Sequence, residues 1–341
     1  MKIIFDDSKV RESLWPFTAT RNAADIRVGI LTIREKWEML LAKTSDTCAV
    51  NASLIGSPST RFEISSDGAV NIKNENETCR SIQFPWDIFQ HNDWALRNDF
   101  EWITAGRQSQ PIAETNQIIA PQNIFIEEGA TVECSIINAA TGPVYIGKNA
   151  LVMEGCMIRG PFALCEGAVL KMGAKVYGAT TIGPYCSAGG EIKNTVLFAN
   201  SNKAHDGYLG DSVIGEWCNL GAGTSNSNVK NTAGEVKMWN NITKEFTGVG
   251  IKAGLIMGDY SRAAINTSFN TGTIVGVCCN IFGAPIAIGM PPKLVNNFSW
   301  GDKRYEFEKA LQDIDNWKKL KRQSITEEEK NILQQLYNQS N

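Results

Sequence analysis

Residues 146–188 read IGKNALVMEGCMIRGPFALCEGAVLKMGAKVYGATTIGPYCSA, and every sixth position carries a large aliphatic side chain: Ile146, Val152, Ile158, Leu164, Leu170, Val176 and Ile182. Four places later in each hexad stand Ala150, Cys156, Phe162, Ala168, Ala174, Thr180 and Cys186, small in every case but Phe162. Neither the 3.6-residue period of a helix nor the two-residue period of a strand gives this spacing. A six-residue period fits a parallel β-helix, in which each hexad crosses one flat face of a triangular coil and three hexads complete a turn. The aliphatic residue then points inward, the small residue lies near a corner, and each coil buries the apolar edge of the next. Gly147, Gly155, Gly167, Gly173 and Gly183 suit the bends.

The pattern extends more loosely backward through Ile119-Ala-Pro and Ile126-Glu-Glu-Gly-Ala. Forward, it returns in Ile214-Gly-Glu-Trp-Cys-Asn, Leu220-Gly-Ala-Gly-Thr and Val275-Gly-Val-Cys-Cys-Asn. The expected fold class is therefore mixed. A left-handed parallel β-helix, the hexapeptide-repeat solenoid, spans residues 116–300, with a shortened α/β region over 1–115 and a helical tail over 301–341. The interruptions near 199–211 and 229–247 are expected to be polar loops ejected from the stack, where function tends to concentrate. In the first region, residues 26–41 read as a strand followed by a helix, 71–84 as polar strand and turn, and 86–100 as a helix. After Trp300 the chain is expected to be helical: Phe307, Ala310, Leu311, Ile314 and Trp317 follow helical spacing, and Thr326 with Glu329 forms a capping box before Ile332, Leu333 and Leu336. This tail is expected to cover the solenoid end or meet a neighbouring chain.

The charge balance, 33 basic against 36 acidic residues in 341, provides no global field that would make nucleic acid or an anionic membrane the main partner. The basic run Lys318-Lys319-Leu-Lys321-Arg322 reads as a solvated helix end. No stretch is apolar for the length of a membrane span, and MKIIFDDSKVRESLW lacks a signal-peptide core, so a cytoplasmic location is expected. Nine cysteines without a C-x-x-C pair, and only two histidines, argue against a zinc cluster and for a reducing compartment in which thiols act as small buried hydrophobes. No metal is expected at the site.

The constellation that carries chemistry lies in Asn202-Lys-Ala-His205-Asp-Gly-Tyr208-Leu-Gly-Asp211 and, beyond it, Asn219-Leu-Gly-Ala222-Gly-Thr followed by Asn228. The stretch resembles the acetyltransferase half of the bifunctional enzymes with N-acetylglucosamine-1-phosphate uridyltransferase and glucosamine-1-phosphate N-acetyltransferase activities. It matches their H-x-x-Y-x-G-D, N-[IL]-G-A-G-T and following Asn without a gap, although Lys203-Ala204 abuts His205 where that family has one residue between. A resemblance over nearly the whole chain is to the Bacteroidetes variant of that enzyme. It is carried by Pro16-Phe-Thr-Ala-Thr-Arg21, Arg27-Val-Gly-Ile-Leu-Thr-Ile-Arg-Glu-Lys-Trp37, Asn202-Lys-Ala-His-Asp-Gly207, Gly215-Glu-Trp-Cys-Asn219 and Asn266-Thr-Ser-Phe-Asn-Thr-Gly-Thr273. The resemblance implies a homotrimer holding acetyl-CoA between β-helices of adjacent chains, with an amino-sugar phosphate as acceptor.

An amino sugar loses a proton as its nitrogen attacks a thioester, and a histidine, with an ordinary pKa of about 6.5, is suited to accept it, which makes His205 the expected general base. The resemblance places the backbone N–H of Ala222 at the developing oxyanion, flanked by Gly221 and Gly223 that permit close approach. Tyr208, Asn219 and Asn228 match positions that bind substrate, although the asparagines also suit a structural ladder and Tyr208 suits packing. Counting back from His205 puts Glu191 and Lys193 on the family's glutamate and phosphate-binding lysine. The hexads, continued through Ala188 to Asn194, shift that count by two. A family arginine one coil earlier falls on Lys175 or Tyr177, and a lysine there offers a point charge rather than a bidentate fork. His91, outside the motif, reads as structural.

Sugar-nucleotide pyrophosphorylases carry a glycine-rich G-x-G-T-R segment whose N–H groups cradle phosphate, and here Phe5-Asp-Asp-Ser-Lys-Val-Arg11-Glu-Ser-Leu-Trp-Pro16 lacks the glycines. Uridylyl transfer is therefore the alternative reading, with Mg required only if this region is an active nucleotidyltransferase. A solenoid that binds sugar nucleotides without turnover is a third. The zinc hydratases built on the same solenoid need three histidines, and only His205 lies in the repeat region.

Overall fold

Ile146, Val152, Ile158, Leu164, Leu170, Val176 and Ile182 all point into the lumen of a parallel β-solenoid of about 10 turns. The structure, a computed structural model, describes residues 2–42, 47–73, 78–282 and 290–340. Strands of successive coils pair in parallel with Ile146 opposite Leu164, Val152 opposite Leu170 and Ile158 opposite Val176, which is three hexads per coil. The small residues at the corners are buried with them, and Cys156, Cys186, Cys218 and Cys279 act there as compact apolar fillers. Gly147 is required by the stack, because a Cβ on it would lie 2.7 Å from the carbonyl carbon of Cys165 in the next coil.

The period breaks at 189–190. Val176 pairs with Ile192 rather than with Asn194, since two glycines turn a corner that other coils turn with four residues. The expected loop at 199–211 is consequently not a loop. Asn202–Lys203 and Tyr208–Ile214 are strands of a regular coil: the first pairs with Ser187–Ala188 below and Asn219–Leu220 above, the second with Glu191–Leu197 below and Leu255–Met257 above. The second interruption does leave the stack, as an antiparallel hairpin of Lys237–Asn240 and Glu245–Gly248 whose neck is closed by Ala253 N–H donating to Asn228 O at 3.0 Å.

One face of the prism is covered by the N-terminal region. This region contains two parallel strands, Ile3–Asp6 and Cys48–Asn51, and helices α1 (Ile33–Leu41) and α2 (Asp87–Thr104). The strand expected at the start of 26–41 does not form beyond an isolated bridge between Arg27 and Thr32. Its donors are taken from α2 instead: Gly29 N–H by Asn92, and Ile30 and Leu31 N–H by Asp99, whose carboxylate also pairs with the buried Lys36 of α1. Asn92 further donates to Ala179 O at 2.8 Å on the solenoid. Val196, Val213, Ile256 and Ile274, which point outward from the coils, are buried in a core shared with this region. Each such side chain contributes on the order of 1.5–3 kcal/mol when removed from water.

A second face is partly covered by the tail. After Trp300 the chain first makes a short antiparallel turn of strand, Ser299–Trp300 with Lys303–Arg304, and only then α3 (Phe307–Lys319) and α4 (Glu327–Gln339), the latter opened by the expected Thr326–Glu329 capping box. The basic run is partly docked rather than solvated. Lys318 is buried against Trp217 and paired with Glu329, and Lys321 donates to Asn200 O at 3.0 Å. The third face is open, with exposed Ile119, Ile136, Met157 and Tyr177. Among the described residues no helix is long and apolar enough to cross a membrane.

Candidate functional site

Asn202 pairs with Asn219, and Asn219 with Arg262, so three successive coils pass from the tail face to the open face at matching positions: 204–207, 221–224 and 264–267. His205 and Ala222 are therefore equivalent residues of adjacent corners, one above the other, at the coil spacing of roughly 4.8 Å set by strand pairing. Gly223 N–H donates to Asp206 O at 3.0 Å and Asn266 N–H to Ala222 O at 2.7 Å, locking the corners in register. The His205 side chain is exposed at the edge of the prism. Gly221 N–H is taken by Ala263 O, whereas the Ala222 N–H has no acceptor among the described residues. Glu154 and Met172, at the same place in earlier corners of this edge, have free N–H groups among the described residues in the same way, so what distinguishes the Ala222 corner is the imidazole beneath it. Gly221 is bare for a packing reason, since a Cβ there would lie 2.6 Å from the Ala264 carbonyl carbon.

On the open face beside this corner, outward side chains form two columns. Lys175 pairs with Glu191 and Glu191 with Tyr208, while Lys193 pairs with Gly210. Tyr177 N–H donates to Ile192 O at 2.8 Å, which places Tyr177 below Lys193. The register departs from the continued hexads, and Glu191 and Lys193 lie on the face that the corner adjoins. Lys175 lies under Glu191, and the neighbour below Lys193 is Tyr177.

Gly210 lacks a side chain, and the Tyr208 hydroxyl lies over it. There Asn228 Nδ2 donates to the phenol oxygen at 3.1 Å and to Asp211 Oδ2 at 2.5 Å, and Asn194 Nδ2 donates to Asp211 Oδ1 at 2.7 Å. Burial pushes the Tyr208 phenol up to about 12, with the charges of Asp211 and Glu191 adding to it, so it keeps its proton near neutrality. Sequence reasoning gave Asp211 no role beyond its place in the motif, and it missed Asn194. Both take positive φ, 47° and 45°, at the same compressed corner one coil apart, a conformation that Asp and Asn tolerate better than most residues. Asn219 stands apart from this group, on the tail face across the corner, in a column with Asn202, Arg262 and Asn280. His91 is half-buried on α2, away from the corner.

A separate cavity of about 810 Å³ follows the first strand and is lined by Ser8, Arg11, Trp15, Arg21, Asn22 and Asp25 among others. Its basic groups are engaged: Arg11 with Asp7 at 2.9 Å, and Arg21 with Glu216 at 2.9 Å and with Asp259. Among the described residues, no three His, Cys, Asp or Glu side chains converge to hold a metal ion.

Residues 2–53 and 49–108 match the family profile described as sugar nucleotidyl transferase. A bifunctional sugar-1-phosphate nucleotidylyltransferase/acetyltransferase of Sulfurisphaera tokodaii is 28% identical over 237 residues, covering 66% of this chain and 52% of that protein. The bifunctional protein GlmU of Methanococcus vannielii is 27% identical over 242 residues, 64% of this chain and 49% of its own. That of Rubrobacter xylanophilus is 32% identical over 184 residues, 52% of this chain and 33% of its own. The chain spans about half the length of the first two of these relatives and a smaller share of the third. It is thus related at moderate identity to sugar nucleotidyltransferases and to bifunctional GlmU-like transferases.

Proposed function

We propose that the solenoid is an N-acetyltransferase that moves acetyl from acetyl-CoA to an amino-sugar 1-phosphate, glucosamine 1-phosphate foremost, in cytoplasmic nucleotide-sugar synthesis. The observation that carries this reading is the stacking of His205 directly below Ala222 at a corner that borders the Tyr208–Asn228 network. The sugar nitrogen attacks the thioester carbonyl, and His205 accepts the proton that the nitrogen sheds. The Ala222 N–H donates to the oxyanion of the tetrahedral intermediate. Collapse expels the CoA thiolate, which leaves as the thiol with the proton returned by the imidazolium. Lys193, with Lys175 lower on the same face, meets the sugar phosphate. Glu191, Tyr208 and Asn228 hold the sugar, and Asn219 lies where the cofactor would pass the corner. Because His205 stands exposed on one chain, the reading includes a homotrimer whose neighbouring β-helix closes the site and shares acetyl-CoA. The exposed apolar side chains of the open face support such a contact.

The test is thiol release from acetyl-CoA with a panel of amino-sugar 1-phosphates. One thiol released per sugar acetylated, fastest with glucosamine 1-phosphate, is expected. No release with any of them would overturn the reading and leave a solenoid that binds sugar nucleotides without turnover.

A second reading, uridylyl transfer, is favoured by the family match over the N-terminal residues. It would require a divalent ion such as Mg, held by one or two carboxylates together with the nucleotide's own phosphates. UTP consumption with pyrophosphate release in the same reaction mixture would establish it.

A further inference from the structure

Lys203 is a lysine inside the solenoid. Its strand pairs with Ser187–Ala188 below and with Asn219 above, which gives it the lumen position that Ala188 and Leu220 hold in neighbouring coils. The side chain is 1% exposed, and among the described residues no carboxylate forms an ion pair with it, Asp206 acting on it only at longer range. An amine in an apolar column is costly unless its donors are used. Here two of the three are: Nζ donates to His205 O at 2.5 Å and to Gly189 O at 3.4 Å.

The reason lies in the shortened corner. Residues 189–190 turn with two glycines directly beneath 204–207, and the two corners approach so closely that a Cβ on Gly189 would lie 2.5 Å from Ala204 O and one on Gly190 2.9 Å from His205 O. Carbonyls of both corners therefore face the lumen, where the Lys203 amine meets them. Without that donor, the corner carrying His205 would bury an unsatisfied acceptor.

We infer that Lys203 is a positioning residue, which from inside the coil pins the carbonyl of His205 and so fixes the corner on which the imidazole stands below Ala222. Buried as it is, it touches neither substrate nor the ring, and its effect passes through the backbone. The inference rests on reading His205 as the base, and its test keeps the two apart.

The chain has two histidines, so histidine labelled with ¹³C gives two imidazole signals, from His91 and His205. Lys203→Met keeps an unbranched apolar stem in the lumen but removes the donor. Expected are a folded protein, kcat lower by about ten- to a hundredfold with KM for acetyl-CoA unchanged, a His205 signal that is shifted or split, and a His91 signal that stays put. Lys203→Gln, which restores a donor without charge, recovers part of both effects and serves in place of Lys203→Met if that variant does not fold. Wild-type kcat in the folded variant overturns the inference. If the wild-type protein releases no thiol, the acetyltransferase reading fails by itself, and an unmoved His205 signal then overturns the inference separately.

Discussion

Burial pulls the ammonium of Lys203 down to about 8 from its ordinary 10.5, with Asp206 acting in the opposite direction. Below about pH 8 the amine is charged in folded and unfolded chains alike, and the fold bears the full cost of burying it. Between about 8 and 10.5 the folded chain sheds the proton first, so stability rises with pH through that window and levels off above it. Urea unfolding of wild type and Lys203→Met at about pH 7 and about pH 10 isolates this term from the other titrating groups. The difference between the two proteins is expected to move in favour of wild type by up to about 3 kcal/mol at the higher pH. A difference independent of pH would mean that the amine is not held in an apolar setting. Residue roles of this kind were only half legible in the sequence. His205, Tyr208 and Asn228 stood in a recognisable spacing, but Lys203 read as a neighbour of the histidine, and Asp211 as a motif residue without a partner. What they do depends on which way each side chain points, and that is set by the corner below, not by the motif.

At the scale of elements, the hexads were legible because each one repeats the same demand, a large side chain inward and a small one at the bend. The departures were not, because a lost pair of residues at 189–190 changes the period without changing the composition. Continuing the six-residue count put Asn194 where Ile192 belongs, and made a regular coil at 199–211 look like a loop. The missing strand at 26–31 has a comparable cause: its pattern is apolar enough for a sheet, but Asn92 and Asp99 of α2 take its donors. That arrangement gives Asp99 a stabilising role that can be tested. Asp99→Ala strands Lys36 uncompensated in the interior and removes the acceptor of two backbone donors. A loss of about 3–5 kcal/mol is expected in denaturant unfolding. A loss below about 1 kcal/mol would contradict the account of how α1, α2 and the intervening segment are joined.

For the whole molecule, the three faces of the prism have different occupants, and this asymmetry places the candidate chemistry. The N-terminal region shares a core with one face, the tail docks on the second, and the third, covered by neither, carries Lys175, Glu191, Lys193 and Tyr208. The solenoid and its flanking regions were readable from periodicity. Which face each flank covers was not, because Val196, Val213, Ile256 and Ile274 differ from solvent-facing positions only by being apolar, and exposed apolar residues also occur on the open face. The proposed chemistry requires that an imidazole at the edge of the open face accept a proton from a sugar amine. The most direct measurement is kcat for thiol release by His205→Ala, with an unfolding midpoint recorded to confirm that the coils are intact. An unchanged midpoint and a kcat at least about a hundredfold lower are expected. A folded His205→Ala protein that turns over at the wild-type rate would contradict the proposed chemistry.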